Sequence, residues 1–313
     1  MGNPRIVVVG SANTDMCVFV DRLPAVGETV IGGQFVRTSG GKGANQAVAA
    51  ARLGASVTLV ARIGADAFGR EAVAAFEKEG INTDYITVDD EQPSGVALIL
   101  IDSKGENLIA VAGGANTKLS AENVRRASGV ISSADCVLMQ LEVPMEAVVE
   151  AARIARAGGV PVLLNPAPAP RAPLPGGLIS ACRALTPNRR ELKGLAPGAP
   201  GVEQAAAKLL ESGPDCVVVT LGAEGVLVCG REGVKKIPAF SVEAVDTVGA
   251  GDCFSAALAV ALAEGRNAEE AARFACAAAA ISVTRPGAQT SLPVRREVEQ
   301  FLVCAKSAEV QRK

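Results

Sequence analysis

A chain of 313 residues, 49% hydrophobic but only 3% aromatic, has ample core material drawn mainly from Ala, Val, Leu and Ile, as suits buried parallel strands and stacked helices. Its 31 basic residues nearly balance 33 acidic ones, for a formal charge of −2, and no basic block is present to track a phosphodiester backbone, which argues against a nucleic-acid partner. The complete lack of histidine excludes a Ser-His-Asp triad, a His-ligated metal and an imidazole base.

In chain order, Met1-Gly2-Asn3-Pro4-Arg5 leads straight into an apolar strand, Ile6–Val9, without the pattern of a secretory leader. The alternation then continues with helix Ala44–Leu53, strand Val57–Ala61 and helix Gly69–Lys78. Further on come strand Cys136–Met139, helix Met145–Ala157, strand Val160–Leu164, helix Val202–Leu210 and strand Cys216–Thr220, followed by Ala-rich helices near 250–263 and 268–283. This order predicts one α/β domain over 1–313, a three-layer fold with a mostly parallel central sheet flanked by helices.

Two stretches depart from the alternation. Met16–Val20 with Thr29–Val36, and Val96–Ile101 with Asn107–Val111, are strand-like and joined by turn residues. They predict a small separate β-sheet, a lid built from about 15–38 and 96–112, able to cover a substrate or to pair with a second subunit. Pro166–Pro175 reads as an irregular surface loop, and Phe274–Val283 is too short to span a membrane. Cysteines at 17, 136, 182, 216, 229, 253, 276 and 304 form no C-x-x-C pair and read as free thiols in a reducing cytoplasm.

Chemistry concentrates at the junctions. Ala244 to Phe254, through Gly249-Ala250-Gly251-Asp252, leaves a strand-like region and opens a helix, so its free amides can hold an anion while Asp252 at the edge takes a proton. The same spacing also serves a plain tight turn with a first-turn carboxylate. Gly40-Gly41-Lys42-Gly43-Ala44-Asn45 places glycines and polyol-binding side chains before a helix but is not a P-loop, because Gly43 follows Lys42. Asn13 and Asp15 follow the first strand, where vicinal hydroxyls can be gripped, although Asp15 could equally be a turn residue. Asn188 and Glu191 share the first turn of a helix, either beside a hydrated Mg²⁺ or as an ordinary cap with its third-position acid.

Together these segments resemble the ribokinase branch of the phosphofructokinase-B sugar-kinase family, from about Ile6 to Phe301. The resemblance is carried by Gly40–Ala47, Met139-Gln140-Leu141-Glu142, Leu164–Ala169, Ala244–Thr247 with Gly249–Asp252, and Val283-Thr284-Arg285 with Gly287-Ala288-Gln289. It implies an ATP-dependent kinase that phosphorylates O5 of D-ribose, with Asp252 as base and Gly249, Ala250 and Gly251 as anion hole. It assigns Asn13, Asp15, Gly41, Lys42, Asn45 and Glu142 to the sugar. Asn188 and Glu191 fall to the phosphate and Mg²⁺ region, with Thr220, Leu221, Gly222 and Gly225 on the nucleotide side. A potassium ion would be held, mostly through backbone carbonyls, by Asp246, Val248, Ser282, Arg285, Gly287 and Ser291. A homodimer through the β lid is implied as well.

The family pattern is broken by Arg189-Arg190, where an acidic or small pair is commoner, and by Cys276, where ribokinases often carry histidine. Readings left open at this stage are a kinase for deoxyribose, fructose or ketodeoxygluconate, and a silent sugar- or nucleotide-binding regulator. A dehydrogenase is disfavoured, since Gly10-Ser11-Ala12-Asn13-Thr14 lacks the three-glycine dinucleotide fingerprint. Cys253, at a helix N-terminus beside Asp252, is a candidate oxidant-sensitive thiol, or else a buried inert one.

Overall fold

The strands are β1 (Arg5–Val9), β2 (Asn13–Phe19), β3 (Gln34–Gly40), β4 (Ser56–Gly64), β5 (Ile86–Asp89), β6 (Gly95–Ile101), β7 (Asn107–Ala112), β8 (Cys136–Met139), β9 (Val162–Leu164), β10 (Cys182–Leu185), β11 (Cys216–Thr220), β12 (Val226–Gly230) and β13 (Gly233–Ile237). They are taken from a computed structural model that describes residues 2–170 and 172–311, with side chains as far as 305. Nine of them form one sheet in the order β13-β12-β11-β10-β9-β8-β1-β4-β5. From β5 to β11 all neighbours are parallel, while β12 and β13 add an antiparallel edge.

The sheet's apolar residues face both ways, as a sheet covered on two sides requires. Ile6 and Val8 of β1 join a core shared with helices Lys42–Arg52, Ala67–Lys78, Ala250–Ala263 and Ala268–Ser282. Val7 and Val9 join the opposite core, with helices Met145–Ala157, Arg189–Leu195 and Val202–Leu210. The result is the expected three-layer α/β/α arrangement. Helix Ala250–Ala263 is buried all round from Asp252 to Leu262, the pattern of a helix in the middle of a protein. Its small side chains let it lie between Lys42–Arg52 and Ala268–Ser282.

The separate sheet is present, in the order β3-β2-β6-β7. Its second strand differs from expectation: β3 spans Gln34–Gly40, pairing from Phe19↔Gln34 to Asn13↔Gly40, whereas Thr29–Val36 had been the reading. Gly32 and Gly33 hold φ of 112° and 106°, outside the extended region, and so interrupt the run before it can pair.

Other differences are of the same local kind. The first long helix begins at Lys42, two residues early, and the Ala44 amide reaches back to the Ser11 carbonyl at 2.8 Å. Short strands β5, β10, β12 and β13, and the helix Arg295–Gln311, had no reading from pattern. Pro166–Pro175 is irregular but not wholly superficial: Ala167 and Leu174 are buried, and the Leu141 amide bonds the Ala167 carbonyl at 2.9 Å. All eight cysteines are free thiols. Among the described residues no helix is long and apolar enough to cross a membrane.

Candidate active site

The C-terminal ends of the parallel strands gather polar residues: Gly10-Ser11 after β1, Gln140 after β8, Asn165 after β9 and Thr186 after β10. β1 has β4 on one side and β8 on the other, so the connections leaving it diverge and open a crevice there. The N-terminus of helix Ala250–Ala263 enters the same crevice, bringing Asp252 with it. At the crevice floor, a Cβ on Gly43 would lie 2.5 Å from the Ser11 amide nitrogen, so only glycine permits this closeness of helix and loop.

Asp252 is 5% exposed. Its Oδ2 accepts from Asn45 Nδ2 at 2.9 Å and its Oδ1 from Gln46 Nε2 at 3.0 Å. Both partners are amide donors, which leaves the carboxylate an acceptor, as a general base must be. Asn13 and Asp15 open β2, both buried. The Asn13 side-chain oxygen accepts from Asn116 Nδ2 at 2.8 Å. Glu142 Oε2 accepts from Ser11 Oγ at 2.5 Å and from the Lys42 amide at 2.9 Å, closing the crevice between β1 and β8.

Charge is crowded here. Burial, then Glu142 and Asp252, push Asp15 up to about 6. The Lys42 ammonium is held above its usual value, chiefly by Asp252, with Glu142, Glu191 and Asp15 adding to it against burial. One cation among four carboxylates is therefore the electrostatic centre of the site. Asn13, Asp15, Lys42, Asn45, Glu142, Glu191 and Asp252 are thus brought together by the fold, with Gly41 as the residue capping helix Lys42–Arg52.

Gly249 sits at φ 76°, left-handed, and a Cβ there would come 3.1 Å from Ala288 Cα. It turns the chain into the helix so that the amides of Gly251 and Asp252 have no backbone acceptor among the described residues, while Ala250 donates to the Thr247 carbonyl at 3.2 Å. Around Gly251 an added Cβ would meet nothing within 4 Å, which leaves room for an anion on those amides.

The loops expected to hold potassium lie alongside. Asp246 Oδ1 accepts from the Val248 amide at 2.9 Å and Oδ2 from the Gly287 amide at 2.8 Å, tying the two loops together. Ser282 and Ser291 are buried, and their hydroxyls donate to the Ala279 and Ala288 carbonyls. The Arg285 guanidinium is committed to Glu297 at 2.5 Å, so only its backbone is left for an ion. A carboxylate with carbonyl-rich loops fits a monovalent cation held by oxygen.

On the nucleotide side, Asn188 and Glu191 form a reciprocal cap on helix Arg189–Leu195. Both Glu191 oxygens are engaged, at 2.8 Å, by the amide and the Nδ2 of Asn188, and burial raises its pKa. Among the described residues no group of three or more acidic or cysteine side chains could cage a metal. A single braced carboxylate suits a hydrated Mg²⁺ that arrives on phosphates. Thr220 bridges to Asn188, and Leu221 and Gly225 close a turn at 2.8 Å through Gly222. Arg189 pairs with Glu224 at 2.5 Å, so one of the two unexpected arginines is already neutralised, and a cavity of about 320 Å³ opens beside this pair. Cys276 is buried, and burial pushes its thiol up to about 12.

Several residues of the site carry no individual role in the sequence pattern. Ser11, Gln46, Asn116, Gln140, Asn165 and Gln289 all bond to the residues above or to each other. Their one sequence signal was position, just past a strand or in a glycine-flanked helix start. The reactive reading of Cys253 is overturned: the thiol is fully buried and burial pushes it up to about 12, which outweighs the helix N-terminus.

A ribokinase of Haemophilus influenzae is 43% identical over 301 residues, covering 95% of this chain and 98% of that protein. The crystal structure of a ribokinase from Thermotoga maritima aligns with a TM-score of 0.87 at 40% identity, over 95% of this chain and 98% of that one. The Arabidopsis thaliana ribokinase complexed with ribose and ATP aligns with a TM-score of 0.86 at 36% identity, over 96% and 99% of the two chains. The profile of the pfkB family carbohydrate kinases matches residues 3–295, and the chain belongs to that family.

Proposed function

We propose that the chain transfers the terminal phosphoryl group of ATP to the 5-hydroxyl of D-ribose, giving D-ribose 5-phosphate and ADP. The observation that carries this reading is Asp252, a buried carboxylate held by two amide donors directly beside the unbonded amides of a helix N-terminus. The relatives named for ribose, across nearly the whole chain, supply the sugar.

In this mechanism Asn13, Asp15, Asn45 and Glu142 hold the ring hydroxyls and Asp252 takes the proton of the attacking oxygen. The free amides of Gly251 and Asp252 stabilise charge on the phosphoryl group in flight, the Ala250 amide being taken by the Thr247 carbonyl, with Lys42 adding positive charge among the carboxylates. Glu191, braced by Asn188, faces the phosphate region, and the turn at 220–225 holds the nucleotide. Mg²⁺ bound with ATP would neutralise the phosphate oxygens, and K⁺ between the loops of Asp246, Val248 and Gly287 would firm the anion-binding turn.

We treat residues 1–313 as one ribokinase-like unit, with 15–38 and 96–112 as a lid that excludes water. Across its strands Phe35, Val18, Leu100 and Leu108 stand in one row, beside Met16 and Leu98. Phe35, Leu98 and Leu108 are more than half exposed. An apolar face of this kind supports a homodimer through the lid, in a reducing, cytoplasmic setting that suits eight free thiols.

The test is ADP release across a panel of ribose, deoxyribose, fructose and ketodeoxygluconate, with and without K⁺. Ribose is expected to give the highest kcat/KM, and another sugar exceeding it would reassign the substrate. Asp252→Asn is expected to lower kcat by roughly 10²–10⁴-fold with sugar binding retained.

A further inference from the structure

Three buried amide side chains form a chain that runs in one direction only, and it ends on Asp252. Asn165 Nδ2 donates to the Thr186 carbonyl at 2.9 Å, an atom that can only accept, so Asn165 Oδ1 must face the other way. That oxygen accepts from Gln46 Nε2 at 3.1 Å, and the same Nε2 donates to Asp252 Oδ1 at 3.0 Å. With two acceptors in front of it, the Gln46 amide has a single orientation. Its Oε1 is thereby turned toward Gln140, whose Nε2 donates to it at 2.6 Å.

The cost of the arrangement is visible at its far end. Gln140 and Gln46 are both fully buried, and Gln140 Oε1 is a buried atom with no partner among the described residues. It lies where a Cβ on Gly10 would be, 2.1 Å away. Turning the Gln140 amide over would place its oxygen against Gln46 Oε1, acceptor on acceptor. Turning both would set Gln46 Oε1 against Asp252 and Asn165. An unsatisfied buried acceptor is unfavourable and uncommon, so its presence points to a constraint imposed from elsewhere, and Asp252 together with the Thr186 carbonyl supplies it.

We propose that Gln46 is a positioning residue for the Asp252 base, oriented by Gln140 and Asn165. Its Nε2 and the Asn45 Nδ2 grip one carboxylate oxygen each and fix the plane in which the proton is taken from the sugar. The Gln140 side chain donates to Gln46 and acts through it. This inference rests on Asp252 being the base.

The test uses Gln46→Met and Gln140→Met, of similar length and apolar, measured for kcat, both KM values and thermal unfolding. Gln46→Met is expected to lower kcat about 10- to 100-fold with KM for sugar and ATP within about threefold of the wild type. Gln140→Met removes the unpartnered oxygen along with one bond, so its melting temperature is expected to hold while kcat falls about 3- to 10-fold. The double variant is expected to match Gln46→Met alone, since the second residue acts through the first.

If Gln46→Met fails to fold, Gln140→Met decides the matter by itself: an unchanged kcat overturns the proposal. Multiplicative losses in the double variant overturn the relay as well. An inactive Asp252→Asn enzyme alongside wild-type kcat in both glutamine variants removes this inference and leaves the proposed function standing, whereas an undiminished Asp252→Asn enzyme removes the base assignment itself.

Discussion

Asp15 illustrates how a residue proposed to bind the sugar works against stability. Burial beside Glu142 and Asp252 raises its pKa from the usual 3.8 to about 6, so the folded chain holds this proton more tightly than the unfolded one does. Folding stability from this group is therefore gained as pH falls through 6 toward 3.8, and above 6 the ionised carboxylate is a cost, each unit being about 1.4 kcal/mol. Asp15→Asn is expected to raise stability at about pH 8 by on the order of 1 kcal/mol, read by urea unfolding, while weakening sugar binding. In the wild type, KM for the sugar should rise between about pH 7.5 and pH 5.5 as Asp15 loses its acceptor capacity, and this limb should flatten in Asp15→Asn. Cys253 makes the complementary point. A thiol that is fully buried, with its pKa pushed up to about 12, offers no thiolate, and Cys253→Ala is expected to leave the response to thiol reagents unchanged.

At the scale of elements, the junctions between strand and helix set the geometry of the chemistry. Gly249 holds a left-handed turn close against Ala288, and this close approach sets the loop proposed to hold potassium next to the free amides at the helix start. Gly249→Ala is expected to cost about 1–2 kcal/mol from backbone strain and to lower kcat more than either KM, measured by steady-state kinetics. The cap formed by Asn188 and Glu191 starts a helix and, on the proposed function, braces a carboxylate in the phosphate region. Asn188→Ala should lower stability by about 1 kcal/mol and raise KM for ATP, because Glu191 loses the Nδ2 donor and keeps only the backbone amide of residue 188. A helix whose cap served structure alone would show the first effect without the second.

For the whole molecule the informative feature is the small sheet. Its first half leaves the main body at Asn13 and returns at Gly40, so the strand that carries Asp15, a proposed sugar ligand, also carries Met16 and Val18 on its opposite face. Side chains alternate along a strand, and one element therefore couples the sugar pocket to an exposed apolar surface. For the homodimer proposed through the lid, Leu98→Lys on that surface is expected to give a monomer in sedimentation equilibrium and to raise KM for the sugar. An unchanged mass would remove the lid as the subunit interface.

The sequence by itself determined the layered α/β class, since alternating β-branched runs and Ala-rich helical patterns leave few other arrangements. It also determined the junctions at which Asp15, Lys42, Asn45, Glu142 and Asp252 stand, because glycines that permit close approach are visible as letters. Local pattern was silent on four-residue strands such as β5 and β10, whose pairing partners are distant in the chain, and it misplaced β3 because the glycines at 32 and 33 act through φ rather than through hydropathy. Tertiary structure alone decided which amides face which oxygens. Gln46, Gln140 and Asn165 lie far apart in sequence and read as ordinary polar residues, the first at a helix start and the other two just past strands. Only burial with a fixed direction of hydrogen bonding gives them a shared task, because in water each would be satisfied independently.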